Sequence, residues 1–239
     1  MSLSSRTRRS TTFSAPPLPE NSHSSPPPSS LSFRVVLLGS PCVGKTALMV
    51  RYVTRRFIGD YDPTLEYLCR YHASVDGEDV AMEILDTAGH DKHGHRNAYA
   101  LWGDAFLFVY SVSDRRSFDE ISNIKRDVEN ALKITSSLPV ILVANKNDLR
   151  KEMRTVSESE GKKLAEDMGY PYFEISAKDG RQIWSVAELF HNVFREWKHK
   201  RSDEKHERAQ RKAHGATAHV KRAMNKLMRG PRMGRTTSL

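Results

Sequence analysis

The stretch GSPCVGKT, residues 39–46, decides the fold. It fits the pattern G-x-x-x-x-G-K-[ST], it follows an apolar run at residues 35–38, and it leads into a helical pattern at residues 45–53. A glycine-rich loop between a strand and a helix lets successive backbone N–H groups converge on phosphate oxygens at the helix N-terminus. The stretch therefore predicts a phosphate-binding loop, because an ordinary glycine turn beside a surface lysine does not require this order and context.

The side chains of this loop have separate predicted tasks. The Lys45 ammonium would reach the terminal phosphates of a nucleotide and stabilise the charge that develops during their transfer, and the Thr46 hydroxyl would ligate Mg²⁺. The residues predicted to surround the phosphates are Gly39, Cys42, Val43, Gly44, Lys45, Thr46 and Ala47.

Short apolar runs alternate with helical patterns along the rest of the chain. The predicted strands are residues 35–38, 80–85, 106–112, 140–144 and 172–175, and the predicted helices are residues 45–53, 117–132, 157–168 and 183–197. Ser157 followed by Glu160 forms a capping box at the start of the third helix. This alternation predicts an α/β fold with a mostly parallel sheet and helices on both faces, in which ligands bind at the carboxyl ends of the strands.

Composition divides the chain into three parts. Residues 1–32 are rich in serine, threonine and proline and are predicted to be a disordered extension. Residues 200–239 contain twelve lysines and arginines against three acidic residues, which matches the formal net charge of +9 of the whole chain. The remaining domain, residues 33–199, is close to neutral, so a fold that grips nucleic acid sequence-specifically on its body is not expected.

Targeting and redox signals are few. Cys42 and Cys69 lie far apart without CxxC spacing, so we expect neither a disulfide framework nor a zinc site, and a reducing compartment fits. No apolar run approaches the roughly 18 residues that a membrane span needs. The arginines at residues 6–9 allow an alternative interpretation as a transit peptide, but the prolines from Pro16 onward interrupt the helix that it needs. A cytoplasmic protein is expected, with nuclear entry through the basic clusters as an alternative.

A second motif predicts the base. The predicted strand at residues 140–144 leads into NKND, residues 145–148, an N-K-x-D sequence. The Asp148 carboxylate only accepts hydrogen bonds, and guanine presents N1–H and its 2-amino group as adjacent donors where adenine presents an acceptor. The loop Ser176-Ala177-Lys178 follows the last strand, and its backbone could donate an N–H to the guanine O6. Together with the phosphate loop, these residues predict a guanine-nucleotide site.

With these motifs in this order, residues 34–198 resemble the Ras superfamily of small GTPases. The resemblance implies a P-loop NTPase G domain with a mostly parallel six-stranded sheet, GTP and GDP as ligands with Mg²⁺, and a monomer that binds effectors, exchange factors and activating proteins. It places Phe57 against the base, with Asn145, Lys146, Asp148, Ser176, Ala177 and Lys178 around it. It implies that Thr46, Thr64 and Asp86 hold Mg²⁺. Thr64, in the first switch, is also implied to be a catalytic residue, and Gly89, in the second switch, to contact the γ-phosphate.

Within the superfamily the chain resembles the group of the Ras-related and estrogen-regulated growth inhibitor. The shared segments are RFI at residues 56–58, DPTLE at residues 62–66, MEILD at residues 82–86 and HVK at residues 219–221.

Two departures fall on the catalytic apparatus. His90 follows the sequence DTAG, where Ras proteins have the glutamine that orients the attacking water; that role is the standard example for phosphoryl transfer and is taken over from it. An imidazole has one donor and one acceptor on a rigid ring and cannot copy an amide, so slow hydrolysis is expected unless His90 is a surface histidine with another task. Pro41 and Cys42 stand where many Ras proteins have glycine, and proline supplies no N–H near the γ-phosphate. Cys42 is interpreted as a structural thiol, with a phosphate-side thiolate as the alternative.

A third departure concerns the C-terminal part. No cysteine follows Cys69, so the prenylation signal of many Ras proteins is not present in this sequence and no lipid anchor is expected. Apolar residues at residues 220–228 have helical spacing with basic residues around them. Such a basic amphipathic helix would bind anionic membrane weakly or fill a calmodulin-like groove, and the alternative is a solvated, mostly disordered tail.

The sequence thus predicts a GTPase that switches between GDP and GTP states and hydrolyses GTP slowly. The alternative is a GTP-binding module with negligible hydrolysis that acts through effector binding, which the proline at position 41 and the histidine at position 90 favour. A P-loop kinase is disfavoured because the N-K-x-D sequence selects guanine.

Overall fold

The computed structural model describes residues 31–59, 66–87, 95–133 and 138–228. Its strands are β1 (Leu31–Leu38), β2 (Tyr67–Val75), β3 (Glu78–Asp86), β4 (Ala105–Ser111), β5 (Val140–Asn145) and β6 (Tyr172–Glu174). Its α-helices are α1 (Lys45–Thr54), α2 (His95–Trp102), α3 (Arg115–Asp119), α4 (Ile121–Leu132), α5 (Glu158–Met168) and α6 (Ile183–Met228), with 3-10 turns at Lys151–Met153 and Gly180–Gln182.

The six strands form one sheet in the order β2-β3-β1-β4-β5-β6. Every neighbouring pair is parallel apart from β2 and β3, which are antiparallel. The carboxyl ends of β1, β3, β4, β5 and β6 therefore meet at one edge, which is where the phosphate loop and the N-K-x-D sequence begin. The predicted mostly parallel six-stranded α/β fold is confirmed.

Two apolar cores cover the two faces of the sheet. One core joins the strands to α1 and α6 and includes Tyr52, whose ring stacks on that of Phe190 at 4.2 Å between centroids. The other joins the opposite face to α2, α3, α4 and α5. All residues of β4 and β5 are buried, because helices cover these central strands on both sides.

Several element boundaries differ from those predicted. β1 begins at Leu31, which pairs with Val80, so residues 31 and 32 belong to the sheet and not to the N-terminal extension. The predicted helix at residues 117–132 is divided into α3 and α4 at Glu120, and it starts earlier because the Asp114 side chain accepts the N–H groups of Arg116 and Ser117. The predicted capping box of Ser157 and Glu160 is present at α5. The rest of the predicted extension lies outside the described residues.

Two elements have no counterpart among the segments located from the sequence. β2 is an edge strand whose exposure alternates only weakly, so its pattern is not that of a buried strand. α2 is a short helix of eight residues in which, of the side chains described, Ala100 is buried. Such short, partly exposed elements give a weak periodic signal.

Helix α6 is longer than predicted. It runs for 46 residues and crosses the expected boundary between residues 199 and 200, so the folded domain and the basic tail share one helix. The sequence contains no proline between Pro171 and Pro231, and the region is rich in residues with good helix propensity. The backbone of residues 220–228 is helical, as the predicted amphipathic segment requires. In the part of the chain that the structure describes, no helix has the length and apolar character to cross a membrane.

A close helix–sheet approach at Gly161 gives a stability prediction. A Cβ at Gly161 would lie 2.3 Å from the Tyr110 hydroxyl and 2.6 Å from that of Tyr172, so we expect Gly161→Ala to lower the free energy of unfolding by about 1–3 kcal/mol. Gly180→Ala is the matched control, because a Cβ there meets nothing within 4 Å. Urea denaturation of both variants measures the difference. Equal stabilities of the two variants would contradict the tight packing of α5 on the sheet.

Candidate functional site

A cavity of about 370 Å³ opens at the carboxyl edge of the sheet. The lining residues are Cys42, Gly44, Lys45, Thr46, Ala47, Phe57, Ile58, Gly59, Thr87, Asn145, Lys146, Asp148, Leu149, Ser176, Ala177 and Lys178. The structure therefore brings the predicted phosphate loop, the N-K-x-D sequence and the loop after β6 around one space. Of the predicted residues that the structure describes, Gly39, Val43 and Asp86 are not among the lining residues.

Glycine is needed at two positions of the loop at residues 39–46 because other backbone or side-chain atoms come close. A Cβ at Gly39 would lie 2.1 Å from the carbonyl oxygen of Val109 in β4. A Cβ at Gly44 would lie 2.3 Å from Nδ2 of Asn145, and Gly44 also has a left-handed φ of 98°. The two glycines thus let the phosphate loop pack directly on β4 and on the N-K-x-D sequence.

The helix that follows this loop has an open N-terminus. α1 has no side-chain cap at Gly44 and no acidic residue in its first turn. Its first backbone N–H groups carry the positive end of the helix dipole at the cavity. This arrangement suits an anionic ligand such as a phosphate group.

Lys45 is held across the phosphate loop by two carbonyl groups. Its Nζ donates to the carbonyl oxygens of Gly39 at 2.9 Å and Ser40 at 3.0 Å. Burial lowers the pKa of Lys45 to about 8, although the nearby Asp86 and Cys42 act in the opposite direction. The Lys45 ammonium is therefore held in place, and the nearby acidic groups do not outweigh the effect of its burial. Both features favour a bound anion.

Asp86 ends β3 behind the phosphate loop and is 1% exposed. Its Oδ1 atom has no hydrogen-bond partner among the described residues. Burial raises the pKa of this carboxyl group to about 6, while a hydrogen bond with Thr46 and the charge of Lys45 lower it. A buried carboxylate oxygen without a partner, next to a hydroxyl group, is a donor set that fits Mg²⁺ and its water ligands.

Cys42 has a backbone conformation that usually requires glycine. Its φ is 60°, in the left-handed region, and its side chain is exposed. A non-glycine residue in this conformation costs about 1–2 kcal/mol. The chain therefore has a strained backbone in the middle of its phosphate loop, at a position where the sequence departs from the glycine of many Ras proteins.

Asn145 joins the two halves of the cavity. Its Nδ2 donates to the Val43 carbonyl oxygen at 2.8 Å, and its Oδ1 accepts the Ala177 N–H at 3.1 Å. Asn145 is 2% exposed, so both bonds are shielded from water. Among the predicted base residues, Asn145 is thus a connector between loops.

Lys146 and Asp148 of the N-K-x-D sequence line the cavity. Lys146 Nζ donates to the Cys42 carbonyl oxygen at 2.6 Å, so the Lys146 side chain reaches from the N-K-x-D sequence to the phosphate loop. The Asp148 carboxylate is exposed at the cavity, and its Oδ1 accepts the Ser176 hydroxyl at 2.6 Å. These contacts orient the carboxylate that was predicted to select guanine.

The loop after β6 has internal partners for its backbone donors. The Ala177 N–H donates to Asn145, and the Lys178 N–H donates to the Ser176 hydroxyl at 3.0 Å. A guanine O6 at this loop would share one of these donors. Ser176 has no exposed surface and also accepts the Asp179 N–H at 3.0 Å, which fixes the turn of the loop.

Arg51 is a supporting residue that sequence reasoning missed. It is 6% exposed, and its guanidinium donates to the carbonyl oxygens of Ala177 at 2.7 Å, Lys178 at 2.8 Å and Arg55 at 3.1 Å. It also lies 5.9 Å from the ring centroid of Phe57, which was predicted to stack on the base. Nothing local in the sequence signals these contacts, because Arg51 reads as an ordinary helical arginine.

Thr87 was also missed. Its hydroxyl donates to the Leu37 carbonyl oxygen at 2.7 Å, which ties the chain after β3 to the end of β1. Three predicted residues of the switches, Thr64, Gly89 and His90, lie outside the described residues.

Comparison with known proteins agrees with this geometry. Residues 34–199 match the model of the Ras family. The chain is 39% identical over 199 residues to the human Ras-related and estrogen-regulated growth inhibitor, covering 83% of this chain and 96% of that protein. It is 36% identical over 184 residues to mouse GTP-binding protein Rit1, covering 77% and 82%, and 38% identical over 180 residues to the Ras-like protein rasS of Dictyostelium discoideum, covering 75% and 90%.

The contacts of Arg51 give a prediction for the loop after β6. Arg51→Lys replaces a planar group that serves three carbonyl oxygens by a single ammonium, so we expect the free energy of unfolding to fall by about 1–3 kcal/mol. Arg55→Lys makes the same chemical change at an exposed position one turn later and should change stability by less than about 0.5 kcal/mol. Chemical denaturation of both variants provides the measurement. If Arg51→Lys is as stable as Arg55→Lys, the buried guanidinium of Arg51 does not hold the loop after β6.

Proposed function

The chain belongs to the Ras family, and from that premise we propose that it is a small GTPase that binds GDP and GTP with Mg²⁺ as a signalling switch and hydrolyses GTP slowly. The observation that carries the proposal is that the phosphate loop, the N-K-x-D sequence and the loop after β6 line the same cavity. Its size and polar groups suit a nucleotide with its base at one end and its phosphates at the other.

The base end of the cavity favours guanine. The exposed Asp148 carboxylate can accept from the N1–H and the 2-amino group together, and Ser176 holds one of its oxygens from the other side. Adenine would place its N1 acceptor against this carboxylate and would be repelled. Phe57 is 39% exposed and lines the cavity, so it offers an aromatic surface to the base.

The phosphate end supplies positive charge and metal ligands. Lys45 and the open N-terminus of α1 would bind the phosphate oxygens, and Thr46 and Asp86 would hold Mg²⁺. When bound, Mg²⁺ supplies charge neutralisation between the phosphates. The pKa shifts of Lys45 and Asp86 both come mainly from burial, so a ligand of opposite charge relieves each of them.

Two residues are the reasons to expect that hydrolysis is slow. His90 stands where the family has a water-orienting glutamine, and its imidazole cannot both accept from the water and donate to the transition state as an amide does. Pro41 supplies no N–H and places its ring in the loop that surrounds the phosphates. The same two residues favour the second candidate, a GTP-binding module with negligible hydrolysis.

The switch would act through protein partners and through its tail. The proposed partners are effectors, exchange factors and activating proteins that distinguish the GDP and GTP states. The twelve basic residues of the tail support reversible contact with anionic membrane, at about 1 kcal/mol for each residue near the surface and weakened by salt. We propose a mainly cytoplasmic protein with nuclear entry through the same clusters.

Base selectivity tests the binding proposal. GDP and GTP should displace a fluorescent GDP analogue in the presence of Mg²⁺, and ATP should not. Asp148→Asn places an amide donor against the guanine donors, so we expect its GDP affinity to fall on the order of a hundredfold and xanthine nucleotides to gain. ATP displacing the analogue as readily as GTP would overturn the guanine assignment.

Single-turnover hydrolysis tests the rate proposal and separates the two candidates. We expect His90→Gln to hydrolyse GTP faster, or, if Pro41 limits the rate, only the double variant with Pro41→Gly to do so; each tenfold gain corresponds to about 1.4 kcal/mol of barrier. The wild-type chain, His90→Gln, Pro41→Gly and the double variant are compared after GTP loading of each has been confirmed. If none of the variants is faster, neither residue is the cause of slow turnover.

A further inference from the structure

Gln182 ends the 3-10 turn Gly180–Gln182, immediately before α6 begins. It does not line the cavity, and no sequence motif singled it out. The turn already has a side-chain cap, because the Asp179 carboxylate accepts the Arg181 N–H at 3.0 Å. The Gln182 side chain also hydrogen-bonds the Asp179 carboxylate, and its other partners lie outside the turn.

Both ends of the Gln182 amide bind the two loops at the base end of the cavity. Its Oε1 accepts the Ser176 backbone N–H at 2.9 Å, and its Nε2 donates to Oδ1 of Asn147 at 3.0 Å. Ser176 belongs to the loop after β6, and Asn147 is the variable residue of the N-K-x-D sequence. One side chain thus joins the two loops with a donor and an acceptor that cannot be exchanged.

These bonds reach Asp148 from two directions. The Ser176 hydroxyl donates to Asp148 Oδ1 at 2.6 Å, so fixing the Ser176 backbone fixes that donor. Asn147 precedes Asp148 in the chain and is itself held from the far side, where its Nδ2 donates to the Glu174 carbonyl oxygen at 3.3 Å. Because that bond sets the direction of the Asn147 amide, the oxygen is left for the Gln182 donor.

We propose that Gln182 is a positioning residue for guanine specificity, which holds the Asp148 carboxylate in line with the two guanine donors through Ser176 and Asn147. The inference rests on the proposed function of the cavity. Gln182 touches neither base nor phosphate. Its loss changes how well the site distinguishes guanine from a base that lacks the 2-amino group.

The comparison of GDP with IDP isolates this effect. Hypoxanthine keeps the N1–H of guanine and lacks the 2-amino group, so the ratio of the two affinities measures the hydrogen bond between Asp148 and that group. A general weakening of the fold lowers both affinities together and leaves the ratio unchanged. A displaced Asp148 carboxylate lowers the ratio.

The test variant is Gln182→Met, which keeps the length of the side chain and removes its hydrogen bonds to Ser176 and Asn147, together with the one to Asp179. We expect its preference for GDP over IDP to fall about five- to tenfold relative to the wild-type chain, with faster GDP dissociation. Arg181→Met is the matched control, because this neighbouring side chain is exposed and bonded to Asp179. It should retain the wild-type ratio.

A second variant keeps the inference testable if Gln182→Met does not fold. Gln182→Glu retains an acceptor for the Ser176 N–H and presents an oxygen to Asn147 Oδ1, so the ratio should fall in the same direction. An unchanged ratio in the variant that folds, or an equal fall in Arg181→Met, would overturn the positioning role. A wild-type chain that binds neither GDP nor IDP would instead refute the proposed function.

Discussion

The site depends on the buried amide of Asn145, which hydrogen-bonds the phosphate loop with its nitrogen and the loop after β6 with its oxygen. Since both groups are buried, leaving either without a partner would cost about 1–3 kcal/mol. Gly44 allows this contact, because any Cβ there would collide with the same nitrogen. The sheet brings the phosphate loop and the loop after β6 to one edge, and the Asn145 amide joins the two loops by a hydrogen bond to each.

The charges at the phosphate end are arranged for a ligand and not for the empty fold. A buried ammonium at Lys45 and a buried carboxylate at Asp86 each lose hydration, and burial is the largest cause of both pKa shifts. A structural ion pair would satisfy both groups with each other, yet Asp86 Oδ1 has no hydrogen-bond partner among the described residues. Bound phosphate and a bound cation would each place an opposite charge beside one of these groups and offset part of the cost of burying it.

The features that could be predicted from the sequence are those that depend on a local pattern of residues. The strand, loop and helix at residues 35–53, the N-K-x-D sequence and the Ser157 capping box depend on neighbouring residues, and the structure places them as expected. The edge strand β2 and the helix α2 were not located, because a partly exposed strand and a two-turn helix have weak periodicity. Arg51 and Gln182 could not be found, since their partners are backbone groups and side chains that only the tertiary fold brings near.

The residues that line the cavity also hold one another in place. Asp148 is oriented by Ser176, and Lys146 reaches back to the Cys42 carbonyl in the phosphate loop. Asn145 and Lys146 both donate to carbonyl groups of that loop, so hydrogen bonds join the base end of the cavity to the phosphate end. A displacement at either end strains the same few hydrogen bonds. The two ends of the cavity are therefore linked through backbone carbonyl groups, which a motif of side chains does not describe.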